Sequence, residues 1–188
     1  MIVWVDVETS GLNESTGHLL EVAMVATDDN LVERGATSVV VKPVGLEMSD
    51  IFLPLVVREM HEKSGLLADL QKEETFRRHE GEQFLLNWLE ETFGSIDDLK
   101  QIPLAGSTVD FDRRWLRHHM LKIDRLFSYR SINVSSLTEL AARWEPKIYN
   151  DRPKHDKGTP HRALEDVRMS IELLRYYKRR GFVGGVFE

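Results

Sequence analysis

Apolar and β-branched residues run through Ile2–Glu8, where Val3, Trp4, Val5 and Val7 predict a buried strand. Thr9-Ser10-Gly11-Leu12-Asn13 is turn chemistry. Leu19–Thr27 and Leu31–Lys42 read as two further strands joined by the turn Asp28-Asp29-Asn30. Three successive strands with short connections predict an antiparallel meander.

Helical spacing then takes over. Val56, Val57 and Met60 predict a short helix after Pro54, ending before Ser64-Gly65. Phe84, Leu85, Trp88, Leu89 and Phe93 predict a longer one, stopped at Gly94. Ile102–Ala105 is a fourth strand pattern and Ser131–Val134 a fifth, with a helix marked by Trp115, Leu116 and Met120 between them. Leu137, Leu140, Ala141 and Trp144 mark another helix, stopped by Pro146. The last helix takes Thr159 as N-cap and Pro160 at its first position, with Ala163, Val167, Ile171 and Leu174 as the buried stripe. The order predicts one α/β domain, a mixed five-stranded sheet flanked by helices.

Composition narrows the class. The chain has 188 residues, 41% hydrophobic and 30% charged, which excludes wholesale disorder and fibrous repeats. A domain of this size buries about 70% of its unfolded surface and needs no staple. With no cysteine there is no disulfide, thiol nucleophile or cysteine zinc site. No apolar run approaches the roughly 20 residues of a membrane span, and Met1–Asp6 lacks a secretory leader, so a cytoplasmic protein is expected. The net charge of −6 disfavours a binder that works by neutralising many phosphates. Basic residues do cluster at Arg113, Arg114, Arg117, His118 and His119, and again at Arg143, Lys147, Arg152, Lys154, His155 and Lys157. Such clusters read as solvated faces.

Three acidic segments carry candidate chemistry. Asp6 and Glu8 are two apart on a strand, so they face one side with Cα atoms about 6.5–7 Å apart. Carboxylates on a core strand are costly unless a cation lies between them, and a hard divalent ion such as Mg²⁺ would serve. Alternatively the strand ends at Val5 and both acids are solvated. His161-Arg162-Ala163-Leu164-Glu165-Asp166 places His161 in the first turn of the last helix and Asp166 in the second, about 140° apart. Asp110-Phe111-Asp112-Arg113-Arg114 follows the turn Gly106-Ser107-Thr108, where acids also suit a helix start. Together these are the parts of a two-metal phosphodiester site.

Val3-Trp4-Val5-Asp6-Val7-Glu8-Thr9-Ser10-Gly11-Leu12 resembles the first motif of the DEDDh superfamily of 3′→5′ exonucleases, and His161–Asp166 resembles its histidine-bearing third motif. The match is closer to the oligoribonuclease family through Glu59–Leu66, Asp112-Arg113-Arg114, Tyr129-Arg130, Val134–Leu137, Arg143-Trp144 and Tyr176-Tyr177. The resemblance covers residues 1–178 as a single exonuclease domain, with 179–188 as a tail. It implies a ribonuclease H-like fold, a homodimer, two Mg²⁺ or Mn²⁺ ions, and release of 5′-nucleotides from short single-stranded RNA or linear dinucleotides.

Carried over by residue, the resemblance makes Asp6, Glu8, Asp112 and Asp166 metal ligands and His161 the general base. Leu12 matches an apolar wedge against the bases, and His61 and Ser64 fall in a substrate loop. Tyr129 and Arg130 match residues that a partner protomer contributes, and Thr108 and Ser135 match positions at the terminal phosphate. Asp110 rivals Asp112, but the Arg113-Arg114 that follows sets the register. The chain departs from the family at Thr9-Ser10-Gly11 (usually Met-Thr-Gly), Gly106-Ser107-Thr108 (usually Gly-Asn-Ser), Asn133 (often Asp), and Val56, where an aromatic is usual, so that one stacking surface is either missing or supplied by Phe52. The first departure keeps a proofreading-type DNA exonuclease open as an alternative, beside a non-catalytic nucleic-acid-binding module.

Overall fold

The computed structural model describes residues 1–43, 53–154 and 161–183. Strands β1 (Ile2–Thr9), β2 (Leu19–Thr27) and β3 (Glu33–Lys42) form the expected antiparallel meander. β3 begins at Glu33 rather than Leu31, because Leu31 adopts φ 65° in the turn. β5 (Leu104–Gly106) pairs parallel with β1, and β6 (Ser131–Asn133) parallel with β5.

The sheet has six strands, not five, in the order β4-β3-β2-β1-β5-β6. The additional strand, β4 (Phe76–Arg77), pairs parallel with β3 at the edge. Two residues are too few to show a period of two, so no pattern announces it.

Helices cover both faces. α3 (Arg78–Phe93) and α4 (Val109–His119) bury Leu85, Leu89, Trp115 and Leu116 against Val3, Val5, Val7, Val22 and Met24. On the other face α8 (Ala163–Arg179) and α6 (Val134–Trp144) bury Val134, Ala141, Val167 and Ile171 against Trp4, Ala23 and Val25. β1 is therefore central and sandwiched, and its alternate residues serve two different cores. α1 (Leu55–Lys63) and α2 (Leu66–Asp69) close one end over Leu20, Leu53 and Leu70.

Two helix ends differ from expectation. Pro146 does not simply stop α6; it opens α7 (Pro146–Asn150) at the position where a missing N–H costs nothing. Trp144 is exposed rather than packed in the core. α8 starts at Ala163 with Arg162 as N-cap, and Thr159 and Pro160 lie outside the described residues.

Candidate active site

β1 supplies the first two acids. Val3, Val5 and Val7 point to the α3–α4 side, so Asp6 and Glu8 share the α8 side with Trp4. α8 docks there through Val167 and brings Asp166, one residue earlier, beside them. Oxygen atoms of Asp6, Glu8 and Asp166 all lie within 4.8 Å of one another. Asp112, in the first turn of α4, is 2% exposed and accepts the Val7 N–H at 3.0 Å. It is thus tied to β1 between Asp6 and Glu8. Asp110 is exposed on the same helix and accepts a long contact, 3.4 Å, from Asn133.

Glu8 and Asp112 are buried, and Asp6 and Asp166 half-buried. Burial raises the Asp6 carboxyl well above the usual range, and Asp112, Asp166, Glu8 and Glu21 each add to it. Glu8 is pushed up to about 8 by burial, then by Asp166 and Glu21, with Arg162 opposing. Asp112 is also raised to about 8 because burial outweighs the backbone N–H groups it accepts from, Val7 among them. The set consists of hard carboxylate oxygens that a cation would neutralise, which fits Mg²⁺ or Mn²⁺.

His161 lies two residues ahead of α8, not in its first turn. Freed from helical spacing, its Nδ1 comes 4.0 Å from Asp166 Oδ2, with the His161 side chain 57% exposed. It lines a cavity of about 320 Å³ with Asp6, Asp166, Ser107, Arg152 and Lys154. The two basic residues read from the sequence as a solvated face therefore border the acids. Arg152 also lies over the Tyr149 ring at 3.7 Å and donates to the Tyr149 carbonyl at 2.6 Å.

The segment before α8 is pinned by a half-buried clamp, centred on the buried Glu21, that no sequence motif marks. Arg162 donates to both Glu21 oxygens at 3.0 Å and to Asp69 Oδ2 at 2.7 Å. Glu21 also accepts the Ala163 N–H at 3.3 Å, so a carboxylate on β2 helps cap a helix whose own N-cap is an arginine. A readable signal existed: Glu21 interrupts the apolar run Leu19–Ala26 and pairs across the ladder with Glu8.

The remaining expected residues separate into two groups. Leu12 and Tyr129 are strongly exposed, 83% and 85%. Gly17 closes the turn behind Leu12, since a Cβ there would fall 2.6 Å from the Trp115 ring. Arg130 sits 5.5 Å over the Tyr129 ring. Thr108 and Ser135 pair hydroxyl to hydroxyl at 3.0 Å, and Asn133 Oδ1 accepts both of their N–H groups at 3.1 Å. Thr108 is held at φ 56°, an uncommon conformation for a β-branched residue.

His61 and Ser64 are placed differently from the expected loop. His61 is in the last turn of α1 and fully buried; its Nε2 donates to the Thr9 carbonyl at 2.9 Å, a tautomer assigned from that partner. Its Nδ1 faces Glu8 Oε2 at 3.8 Å, too far for a hydrogen bond. Ser64 donates to the His61 carbonyl at 3.2 Å and closes the helix. Both stand behind the acids, reached through Glu8 and Thr9. Val56 is 77% exposed, and Phe52 lies outside the described residues.

Known proteins with related sequence and shape share this arrangement of elements. The Exonuclease family model (RNase_T) matches residues 3–174. An oligoribonuclease of Mycobacterium sp. (strain KMS) is 37% identical over 97% of this chain and 81% of its own. That of Streptomyces coelicolor is 38% identical over 97% and 87%. Among solved structures, an Exonuclease I from Methylocaldum szegediense superposes with TM-score 0.67 at 19% identity, over 97% of this chain and 41% of that longer one. S. pombe Pop2p, in an Mg²⁺- and Mn²⁺-bound form, gives TM-score 0.67 at 14% identity over 100% and 86%.

Proposed function

The chain belongs to the oligoribonuclease family of the DEDD exonuclease superfamily and is a 3′→5′ exoribonuclease; from that premise we propose that it degrades very short RNA, dinucleotides foremost, with two divalent cations. The observation that carries the metal assignment is the convergence of Asp6, Glu8 and Asp166 within 4.8 Å. Asp6, Glu8, Asp112 and Asp166 would hold the ions, Mg²⁺ or Mn²⁺. Bound there, the ions supply acidification of water and stabilisation of charge on the phosphodiester and its leaving oxygen. Four carboxylates carry a charge of −4, which two divalent ions cancel, so a loaded site no longer repels phosphate.

His161 takes the proton of the attacking water at Nε2, the nitrogen farther from Asp166, while Asp166 on the Nδ1 side favours the resulting imidazolium. Arg152 and Lys154 at the cavity rim draw in the phosphodiester. Leu12 and Tyr129 offer apolar surface to the bases, each stack being worth about 1–3 kcal/mol. Thr108, Ser135 and Arg130 hold the 5′-terminal phosphate. Tyr129 and Arg130 serve the site of a partner protomer in a homodimer, which explains an 85% exposed tyrosine. His61 and Ser64 support substrate binding from behind Glu8. Residues 1–178 form the working unit, and its place of work is the cytoplasm.

Labelled 5′-phosphorylated RNAs of two to ten nucleotides, with a matched DNA dinucleotide, test the reading. Turnover should be fastest on the RNA dinucleotide, decline with length, and depend weakly on salt because few phosphates are neutralised. A rate that stays flat or rises with length removes the dinucleotide preference. Preference for the DNA dinucleotide would favour the proofreading-type alternative, to which Thr9-Ser10-Gly11 already points.

A further inference from the structure

A second cavity, of about 300 Å³, opens among His18, Leu19, Val41, Lys42, Pro43, Arg78, His79 and His119. Leu19 and Val41 belong to the core on the α3–α4 side of the sheet, so this cavity sits on the face opposite the one that carries Asp6 and Glu8. Its floor is apolar, formed by Leu19, Val41 and Pro43. The His119 ring, stacked on Trp115 at 5.1 Å, adds a flat wall.

The charge of the lining runs against that of the protein. Acidic residues outnumber basic ones, 31 to 25, yet among the described residues that line this cavity there is no carboxylate, while two cations and three histidines do line it. Among the described residues Lys42, Arg78 and His18 have no carboxylate at ion-pair distance; only His79 approaches one, Glu80 at 4.0 Å. α3 begins at Arg78, so the N-terminal end of a 16-residue helix lies here too, with Glu80 in its first turn accepting the Arg77 N–H at 2.8 Å. The surrounding positive charge is felt by His119, which burial, together with His118, Arg78 and His18, pushes down to about 4. Cations with no carboxylate at ion-pair distance among the described residues, set around an apolar floor, describe a receptor for a ligand with both a flat apolar part and a concentrated negative charge. The volume is at the small end of ligand pockets, which span about 300–1,000 Å³.

We propose that this cavity binds one 5′-nucleotide unit, with the base on the Leu19–Val41–Pro43 floor and the phosphate between Lys42 and Arg78, on the sheet face opposite Asp6 and Glu8. A free mononucleotide and the leading nucleotide of a longer RNA present the same chemistry. Calorimetry of the full chain with 5′-AMP in EDTA tests binding itself, whether or not the acidic site hydrolyses RNA. Stoichiometric binding is expected, weakened at least tenfold in Lys42→Glu/Arg78→Glu, with adenosine and inorganic phosphate each binding more weakly than AMP. The same variant should cleave an RNA dinucleotide within twofold of wild type. A raised KM for a five-nucleotide RNA alone identifies the strand as the occupant, and an unchanged KM identifies the free nucleotide. AMP binding that is absent, that survives the double variant, or that inorganic phosphate matches overturns the proposal.

Discussion

Buried carboxylates occur in two neighbouring places, and the chain treats them in opposite ways. Asp124, at the end of α5 (Leu121–Asp124), is 7% exposed and accepts from Arg113 Nε and Arg117 Nε, each at 3.1 Å. Arg113 goes on to the Ser128 carbonyl at 2.8 Å, so that pair is both neutralised and hydrogen-bonded. Asp112, the residue immediately before Arg113, is buried at least as deeply and has a backbone N–H where Asp124 has two guanidinium groups. Its charge is felt by Asp6, which itself converges with Glu8 and Asp166 within 4.8 Å. The protein thus has the means to compensate a buried acid and withholds them at one place. There a bound divalent cation would supply positive charge, in line with the proposed metal site.

The largest effects should come from altering the uncompensated set. Asp6→Asn or Asp112→Asn is expected to lower hydrolysis of a labelled RNA dinucleotide on the order of 10³-fold or more. The melting temperature in EDTA should hold or rise, because a repelled charge has gone. Retained turnover in Asp112→Asn with loss in Asp110→Asn would move the site's register to Asp110. His161→Ala should lower kcat by roughly 10²–10⁴-fold while calorimetry shows Mn²⁺ affinity nearly intact. Collapse of that affinity would make the histidine a ligand instead.

The compensated acid should give the mirror image. Asp124→Asn strands Arg113 in the core and should cost about 3–5 kcal/mol in urea unfolding, with kcat retained well below the melting temperature. Activity lost in proportion to stability would erase the contrast.

The smallest effect is a pH trend. Glu8 and Asp112, near 8 in the folded protein, stay protonated there where the unfolded chain releases its protons. Metal-free protein should therefore melt a few degrees higher at pH 6.5 than at pH 8, and lose that gain as pH rises through 8. Below about 6.5 the depressed His61 and His119 work the other way, because the unfolded chain then takes up the protons. Mg²⁺ should flatten the trend; a slope identical with and without it would separate the raised acids from the metal site.

The sequence made the meander legible because β1, β2 and β3 are long enough for their apolar content to register and their turns are rich in Asp, Asn and Gly. It announced the acids because polar residues two apart on a buried strand are anomalous. What it hid depends on tertiary neighbours. The 3₁₀ turn at Ile96–Gln101 and the four-residue α2 and α5 are shorter than any period that could mark them. Helical spacing already put His61 in a helix, where the resemblance put it in a substrate loop, but neither showed its burial beside a carbonyl 52 positions away in the chain. Arg152 and Lys154 looked solvated because nothing local tells a basic face from the rim of an acidic cavity.

The site draws on the first strand and on the last helix described, and that separation has a consequence for the chain as it is made. Asp6 and Glu8 are made well before Asp166 and the clamp residue Arg162, with Asp166 following Asp6 by 160 residues. At about 5–20 residues per second the interval is roughly 8–30 s. Throughout it, β1 can pair with β2 and β3, yet the acids cannot meet until α8 has been translated and docked against Trp4. A chain that still lacks α8 therefore has no assembled acidic site, and nuclease activity has to wait until that helix has docked.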